Sequence, residues 1–281
     1  MERNFIQLIR ARWDEGKFVC VGLDSDYDKI PEVIRKQHSS IEDGIFEFNK
    51  AIIEATNDLV CAYKPNTAFY EAYGDEGFRA LKRTCDFIHE VASTVPIILD
   101  AKRGDIGRTN EMYAKFAFDW LQADAITVSP YLGGAALGPF LDRADRGIII
   151  LCKTSNPGSG EFQDMAVHVN EESISLFEEI AKNVSRIWNK NGNCALVVGA
   201  TYPEELRKVR SLAGDMPILI PGIGKQGGDL EKSILFGRDS KKQGIIINSS
   251  SGIIFASNNS DFAEAARQET LRLHEAIKKQ V

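Results

Sequence analysis

Paired metal-ligand spacings, a cationic surplus and long apolar runs are all missing from this 281-residue sequence, and each absence removes a class of function. Its five cysteines, Cys20, Cys61, Cys85, Cys152 and Cys194, contain no C-x-x-C pair. Four of them sit in apolar, strand-like runs, where a thiol behaves as a small core hydrophobe, so a disulfide framework is excluded. The histidines, His38, His89, His168 and His274, are scattered, with no H-E-x-x-H, and G-x-S-x-G is absent. Neither a zinc site nor a Ser-His-Asp hydrolase is expected. Forty acidic against 34 basic residues leave a formal charge of −6, which argues against a broad nucleic-acid footprint or a polybasic membrane surface. Any anion must be gripped locally. No apolar run approaches the eighteen residues of a membrane-spanning helix, and the opening residues carry charge and helical periodicity where a secretory signal would be continuously apolar. The expectation is a soluble cytoplasmic chain without nucleic-acid or membrane partners.

What is present is a β-α rhythm. Short β-branched runs at 18–23, 59–63, 97–100, 125–129, 147–152, 194–198, 218–220 and 244–247 read as eight strands. Amphipathic segments at 44–55, 76–92, 110–121, 171–189, 203–212 and 230–236 separate them. The strand runs are apolar on consecutive positions, as expected for parallel strands buried on both faces. No linker or composition shift divides the chain, and no phosphate fingerprint follows the first strand, so a single (β/α)8 TIM barrel over 1–281 is favoured over a doubly wound sheet.

In such a barrel the working residues lie at the carboxyl ends of strands. Those ends are ionic: Asp24 after the first strand, Lys64 after the second, Asp100 and Lys102 after the third, Lys153, Thr154 and Ser155 after the fifth. Alternation along an extended chain puts Asp100 and Lys102 on one face with Ala101 on the other. Asp105, beyond Gly104, stands at the start of the next helix, where its carboxylate suits a capping role as well as a chemical one. A buried ion pair is costly without further partners, so a cluster of this kind points towards catalysis.

The run Asp100-x-Lys102-x-x-Asp105-Ile106-Gly107-x-Thr109 resembles the signature of orotidine 5′-phosphate decarboxylases, in their bacterial-type branch. Val19-Cys20-Val21-Gly22-Leu23-Asp24, Tyr63-Lys64-Pro65-Asn66-Thr67-Ala68-Phe69, Lys153-Thr154-Ser155-Asn156-Pro157-Gly158 and Pro221-Gly222-Ile223-Gly224-Lys225-Gln226-Gly227 are similar to it in the same order. The resemblance implies a cofactor-free lyase that converts orotidine 5′-monophosphate to uridine 5′-monophosphate, with Lys64, Asp100, Lys102 and Asp105 as an alternating Lys-Asp-Lys-Asp array. Lys102 would stabilise the C6 carbanion and protonate it. The resemblance further implies a homodimer in which Asp105, Ile106 and Thr109 reach into the neighbouring subunit's site. Asp24 and Lys64, with Asp105 and Thr109 from the partner chain, would hold the ribose hydroxyls, Asn66 would bind substrate, and Ser155 would contact the pyrimidine; for Ser155 a plain turn role stands beside that reading.

Gly222-Ile223-Gly224-Lys225-Gln226-Gly227 formally matches G-x-G-x-x-G, but it follows the seventh strand, where barrels seat phosphate on loop amides. By the resemblance, Pro221, Gly222 and Gln226, with Ser250 and Ser251 after the eighth strand, would hold the 5′-phosphate. The family pattern has arginine where this chain has Ser251, so a raised KM is expected, with Lys225 the nearest substitute cation. Rival readings are a metal-dependent sugar-phosphate decarboxylase using Asp24 and Asp100, a Schiff-base aldolase using Lys64, Lys102 or Lys153, and a non-catalytic phosphate-ligand sensor. Starting at Met1, the chain is expected to be complete as a decarboxylase.

Overall fold

The computed structural model describes residues 3–169, 172–223 and 227–281. Strands β1 (Val19–Leu23), β2 (Val60–Pro65), β3 (Ile98–Arg103), β4 (Ala125–Val128) and β5 (Gly147–Lys153) are followed by a short hairpin, β6 (Ala166–Val169) and β7 (Glu172–Ser175), and then by β8 (Cys194–Val198), β9 (Ile218–Ile220) and β10 (Ile245–Ser249). Eight of them form one parallel sheet in the order β2-β1-β10-β9-β8-β5-β4-β3. Parallel bridges Tyr63–Ile97 and Asn66–Asp100 join its two ends and close it into a barrel. All eight strand runs of the sequence are strands of this barrel, which is a (β/α)8 fold.

The local chemistry explains the elements. Runs such as Val-Cys-Val-Gly-Leu in β1 and Cys-Ala-Leu-Val-Val in β8 are buried throughout, beneath helices on one face and against the filled barrel on the other. Ser40 caps the helix Ile41–Thr56 by accepting the amide of Asp43 at 3.0 Å. That helix buries Phe48, which stacks on Phe255 and on Phe262 of the last helix, Phe262–Lys278. At the amino end of the barrel, Arg3 clamps buried Asp124 with two bonds of 2.8 Å, and Asp124 also accepts the Ile97 amide at 2.8 Å. No helix among the described residues is long and apolar enough to cross a membrane.

One expected helix is corrected. The segment 171–189 carries helical periodicity, yet Glu172–Ser175 pairs as β7 with β6, and the helix starts only at Leu176. Ser175 and Glu178 form a capping box there, so the start signal lies inside the expected helix. The hairpin fills the long connection between β5 and that helix.

Candidate active site

β1, β2 and β3 are neighbours around the closing seam, so their carboxyl ends bring four charged side chains to one place. Lys64 lies in register with Gly22 of β1, and Asn66, two residues on, bridges to Asp100. Lys64 Nζ donates to Asp100 Oδ2 at 2.9 Å and stands 3.8 Å from Asp24 Oδ1. Lys102 Nζ donates to the other oxygen, Asp100 Oδ1, at 2.7 Å. The result is a continuous chain of alternating charge, Asp24, Lys64, Asp100, Lys102. Side-chain exposure rises along it from 4% at Lys64 and 12% at Asp100 to 51% at Lys102, so only the last ammonium is open to the barrel mouth.

Burial alone would raise the Asp100 pKa, but the Lys64 and Lys102 ammonium groups overcome it and hold the carboxyl well below its ordinary range. Burial likewise disfavours the charged Lys64, and the Asp100 and Asp24 carboxylates more than reverse this, raising its pKa. The inner part of the chain therefore keeps its charges at neutral pH.

The structure corrects the reason why Asp100 and Lys102 point the same way. Lys102 has φ +47, in the left-handed region, and the β3–β4 register breaks between Leu99 and Arg103. A bulge, rather than strand alternation, turns Lys102 towards Asp100. Asp105 is not part of the chain of charges within one subunit. Among the described residues its Oδ1 accepts only the adjacent Ile106 amide, at 2.7 Å. The helix Gly107–Ala114 has Ile106 at its N-cap and no side-chain cap, so Asp105 does not cap it. Asn110 takes over the local bonding, accepting the Asp105 amide and donating to the Asp105 and Ala136 carbonyls. Ile106, 63% exposed, and Thr109, also exposed, face outward and do not line the cavity.

The charged chain forms one wall of a cavity of about 520 Å³ at the carboxyl end of the barrel. Asp24, Asn66, Ser155, Pro221, Gly222, Ser250 and Ser251 all line it, as the strand-end reasoning requires. Ser250 reaches inward because residue 22 is glycine: a Cβ there would lie 1.9 Å from Ser250 Oγ. Gly199 makes the same allowance for Ser155, whose Cβ a side chain would meet at 2.6 Å. Lys225 and Gln226 lie outside the described residues. Among the described lining residues, Lys64 and Lys102 are the only cations, and both stand at the Asp100 end. Ser251 begins a four-residue helix just after β10, the strand beside β1.

Several lining residues lay outside the expected site, Thr127, Gln163 and Asn248 among them. Thr127 donates to Asp100 Oδ1 at 2.9 Å; nothing in its strand run distinguishes it from a core position. Gln163 braces Thr154, accepting its amide at 2.9 Å and donating to its hydroxyl at 2.8 Å. Asn248 ends β10, and strand-end position is a signal for it. The buried oxygens Asp24 Oδ1 and Asn248 Oδ1 have no hydrogen-bond partner among the described residues, although both belong to cavity-lining side chains. Such orphans in a polar cavity fit hydroxyl donors from a ligand. Lys153, by contrast, is fully buried, donates to Asp164 at 2.7 Å and lies 4.3 Å above the Tyr202 ring; it does not line the cavity. It belongs to the wall that carries Thr154 and Ser155.

Comparison with known proteins converges on one family. A model described as orotidine 5′-phosphate decarboxylase / HUMPS family matches residues 17–267. The orotidine 5′-phosphate decarboxylase of Herpetosiphon aurantiacus is 48% identical over 265 residues, 94% of each chain. The solved Leishmania donovani OMP decarboxylase superposes with a TM-score of 0.81 at 36% identity, covering 99% of this chain and all of that one. Leishmania donovani UMP synthase gives 0.84 at 38% identity, and this chain spans 57% of its length.

Proposed function

The chain belongs to the orotidine 5′-phosphate decarboxylase / HUMPS family, and from that premise we propose that it decarboxylates orotidine 5′-monophosphate to uridine 5′-monophosphate in pyrimidine biosynthesis, using Lys102 as both electrostatic stabiliser and proton donor. The observation that carries this reading is the unbroken Lys64–Asp100–Lys102 ion chain opening onto the cavity.

Losing carbon dioxide from C6 leaves an sp² carbanion with no neighbouring carbonyl to delocalise it. An ammonium held beside C6 lowers that charge's energy in place, without reorganisation, and then supplies the proton. For this Lys102 must be aimed at C6, and the bond to Asp100 at 2.7 Å orients its ammonium. Lys64 serves Asp100 in turn, keeping its carboxylate ionised despite burial. In this reading Asp24 and Lys64 hold the ribose hydroxyls, Asn66 binds substrate, Ser155 contacts the pyrimidine, and Pro221, Gly222, Ser250 and Ser251 hold the phosphate; what supports it is that all of them line the cavity, and Gln226 is assigned to the phosphate by resemblance.

The fourth member of the array, Asp105, would come from a second copy of the chain together with Ile106 and Thr109. Supporting a homodimer, Ile106 is accompanied by Tyr131 and Leu132, 86% and 48% exposed, on the neighbouring loop after β4. These exposed apolar side chains belong to the loops after the adjacent strands β3 and β4, the first of which also carries the residues that must cross. The reaction as written needs no cofactor. Between Asp24 and Asp100, where the rival metal-dependent chemistry would place its ion, stands the Lys64 ammonium. Five free, buried thiols suit a reducing cytoplasm.

Following the ultraviolet absorbance of orotidine 5′-monophosphate tests the reading. Steady loss of substrate by the wild type, abolished in Lys102→Ala, is expected. Turnover that survives in Lys102→Ala would refute the assignment of that residue, and a wild type inert towards this substrate would refute the activity.

A further inference from the structure

The bulge that aims Lys102 has a single side chain behind it. Around Leu99 and Ile126 the β3–β4 ladder is regular, and it resumes at Arg103 and Val128. Asp100, Ala101 and Lys102 thus face one residue of β4, Thr127. A bulge of this kind leaves backbone amides without ladder partners, which is costly in a buried seam. Thr127 Oγ1 accepts both of them, the Ala101 amide at 3.0 Å and the Lys102 amide at 2.9 Å. A hydroxyl has two acceptor lone pairs and one proton. With both lone pairs occupied, the proton is directed to its remaining neighbour, Asp100 Oδ1, at 2.9 Å. That same oxygen accepts from Lys102 Nζ.

One atom therefore fixes two things at once. It holds the backbone of Lys102 at φ +47, a conformation that a long side chain adopts only when its surroundings enforce it. It also orients the carboxylate that aims the Lys102 ammonium. Thr127 is 1% exposed, in the middle of a strand whose other members, Ala125, Ile126 and Val128, are apolar. Valine would satisfy the packing there; only the hydroxyl satisfies the bulge.

We propose that Thr127 is a positioning residue of the decarboxylation, acting through Asp100 and Lys102, and that the rate of the chemical step depends on its Oγ atom. The proposal rests on the reading of Lys102 as proton donor, so Lys102→Ala is measured beside it.

The test compares Thr127→Val, which keeps the shape and removes the hydroxyl, with Thr127→Ser, which keeps the hydroxyl and removes a methyl. Single-turnover rates on orotidine 5′-monophosphate are measured so that product release does not mask the step. Thr127→Val is expected to lose about a hundredfold in rate, the size of effect that an ångström of misplacement produces, with KM little changed. Thr127→Ser should retain nearly wild-type rates. Hydrogen exchange at the Ala101 and Lys102 amides should quicken in Thr127→Val and not in Thr127→Ser. A folded Thr127→Val with an unchanged rate, or a serine variant as slow as the valine one, overturns the proposal. Should Thr127→Val fail to fold, Thr127→Cys replaces it, keeping volume but offering a poor acceptor; a loss of at least about tenfold is then expected, and an unchanged rate is fatal. A fully active Lys102→Ala would instead overturn the reading of the site, whatever Thr127 does.

Discussion

At the scale of single residues, the site is explained by which charges are paired and which end of the cavity lacks one. Asp100 takes three donors, from Lys64, Lys102 and Thr127, and its pKa lies below that of an unfolded carboxyl, about 3.9. A depressed carboxylate contributes stability that is present above the unfolded pKa and is lost as pH falls through the folded one. The difference in unfolding free energy between wild type and Asp100→Asn should therefore be flat from about pH 5 to 8 and shrink only below about pH 4. A difference that changed across neutrality would place the titration of Asp100 there and sink the account. In the segments after β9 and β10, proposed to hold the phosphate, the decisive residue is Ser251. No arginine or lysine among the described lining residues belongs to those segments, and a serine hydroxyl cannot make the two parallel charge-assisted bonds of a guanidinium. Ser251→Arg should raise kcat/KM for the phosphorylated substrate by at least about tenfold, since a hydrogen bond to a charged group contributes about 1.5–3 kcal/mol. Steady-state kinetics showing no gain would mean that the phosphate is already gripped by other groups.

At the scale of elements, the barrel is held shut at its amino end by a clamp far from the chemistry. Asp124 is fully buried and joins Arg3 to the Ile97 amide, tying the start of the chain to the strand that carries Asp100 and Lys102. Asp124→Ala leaves the Ile97 amide and a guanidinium without their acceptor, and a loss of about 3–5 kcal/mol is expected from denaturant unfolding. The rate per folded molecule should be unaltered, which separates this buried carboxylate from Asp100. Much of this element-level organisation was legible in the sequence. Continuous apolar runs marked all eight barrel strands, because a parallel strand buried on both faces has no polar side to confuse the pattern. The charged strand ends gave Asp24, Lys64, Asp100 and Lys102, because such clusters are rare in a buried setting without a use. The bulge at Lys102 was not legible. It arises from pairing between β3 and β4, and no local pattern in Asp100-Ala101-Lys102 announces a positive φ. Thr127 was hidden for the same reason, being a β-branched residue in a β-branched run. The hairpin was masked at β7, whose residues fall inside the helical periodicity of 171–189.

At the scale of the whole molecule, one copy of the chain brings together three of the four charged residues of the proposed array, and the fourth, Asp105, does not line the cavity that the others line. If a second copy completes each site, the two sites of a dimer exchange Asp105 reciprocally, as a twofold interface requires. Each subunit then gives Lys102 to one site and Asp105 to the other. Homodimers of Lys102→Ala lack the proton donor in both sites, and homodimers of Asp105→Ala lack the fourth charge in both. A mixed dimer places both defects in the same site and leaves the other site intact. Random exchange of equal amounts makes half the dimers mixed, with half their sites intact, so mixing two nearly inactive variants should restore about a quarter of wild-type activity. The recovery should develop at the rate of subunit exchange and disappear if the dimers are cross-linked before mixing. Two variants that stay inactive after proven exchange would show that Asp105 does not act across an interface, and the exposed Ile106, Tyr131 and Leu132 would then need another explanation.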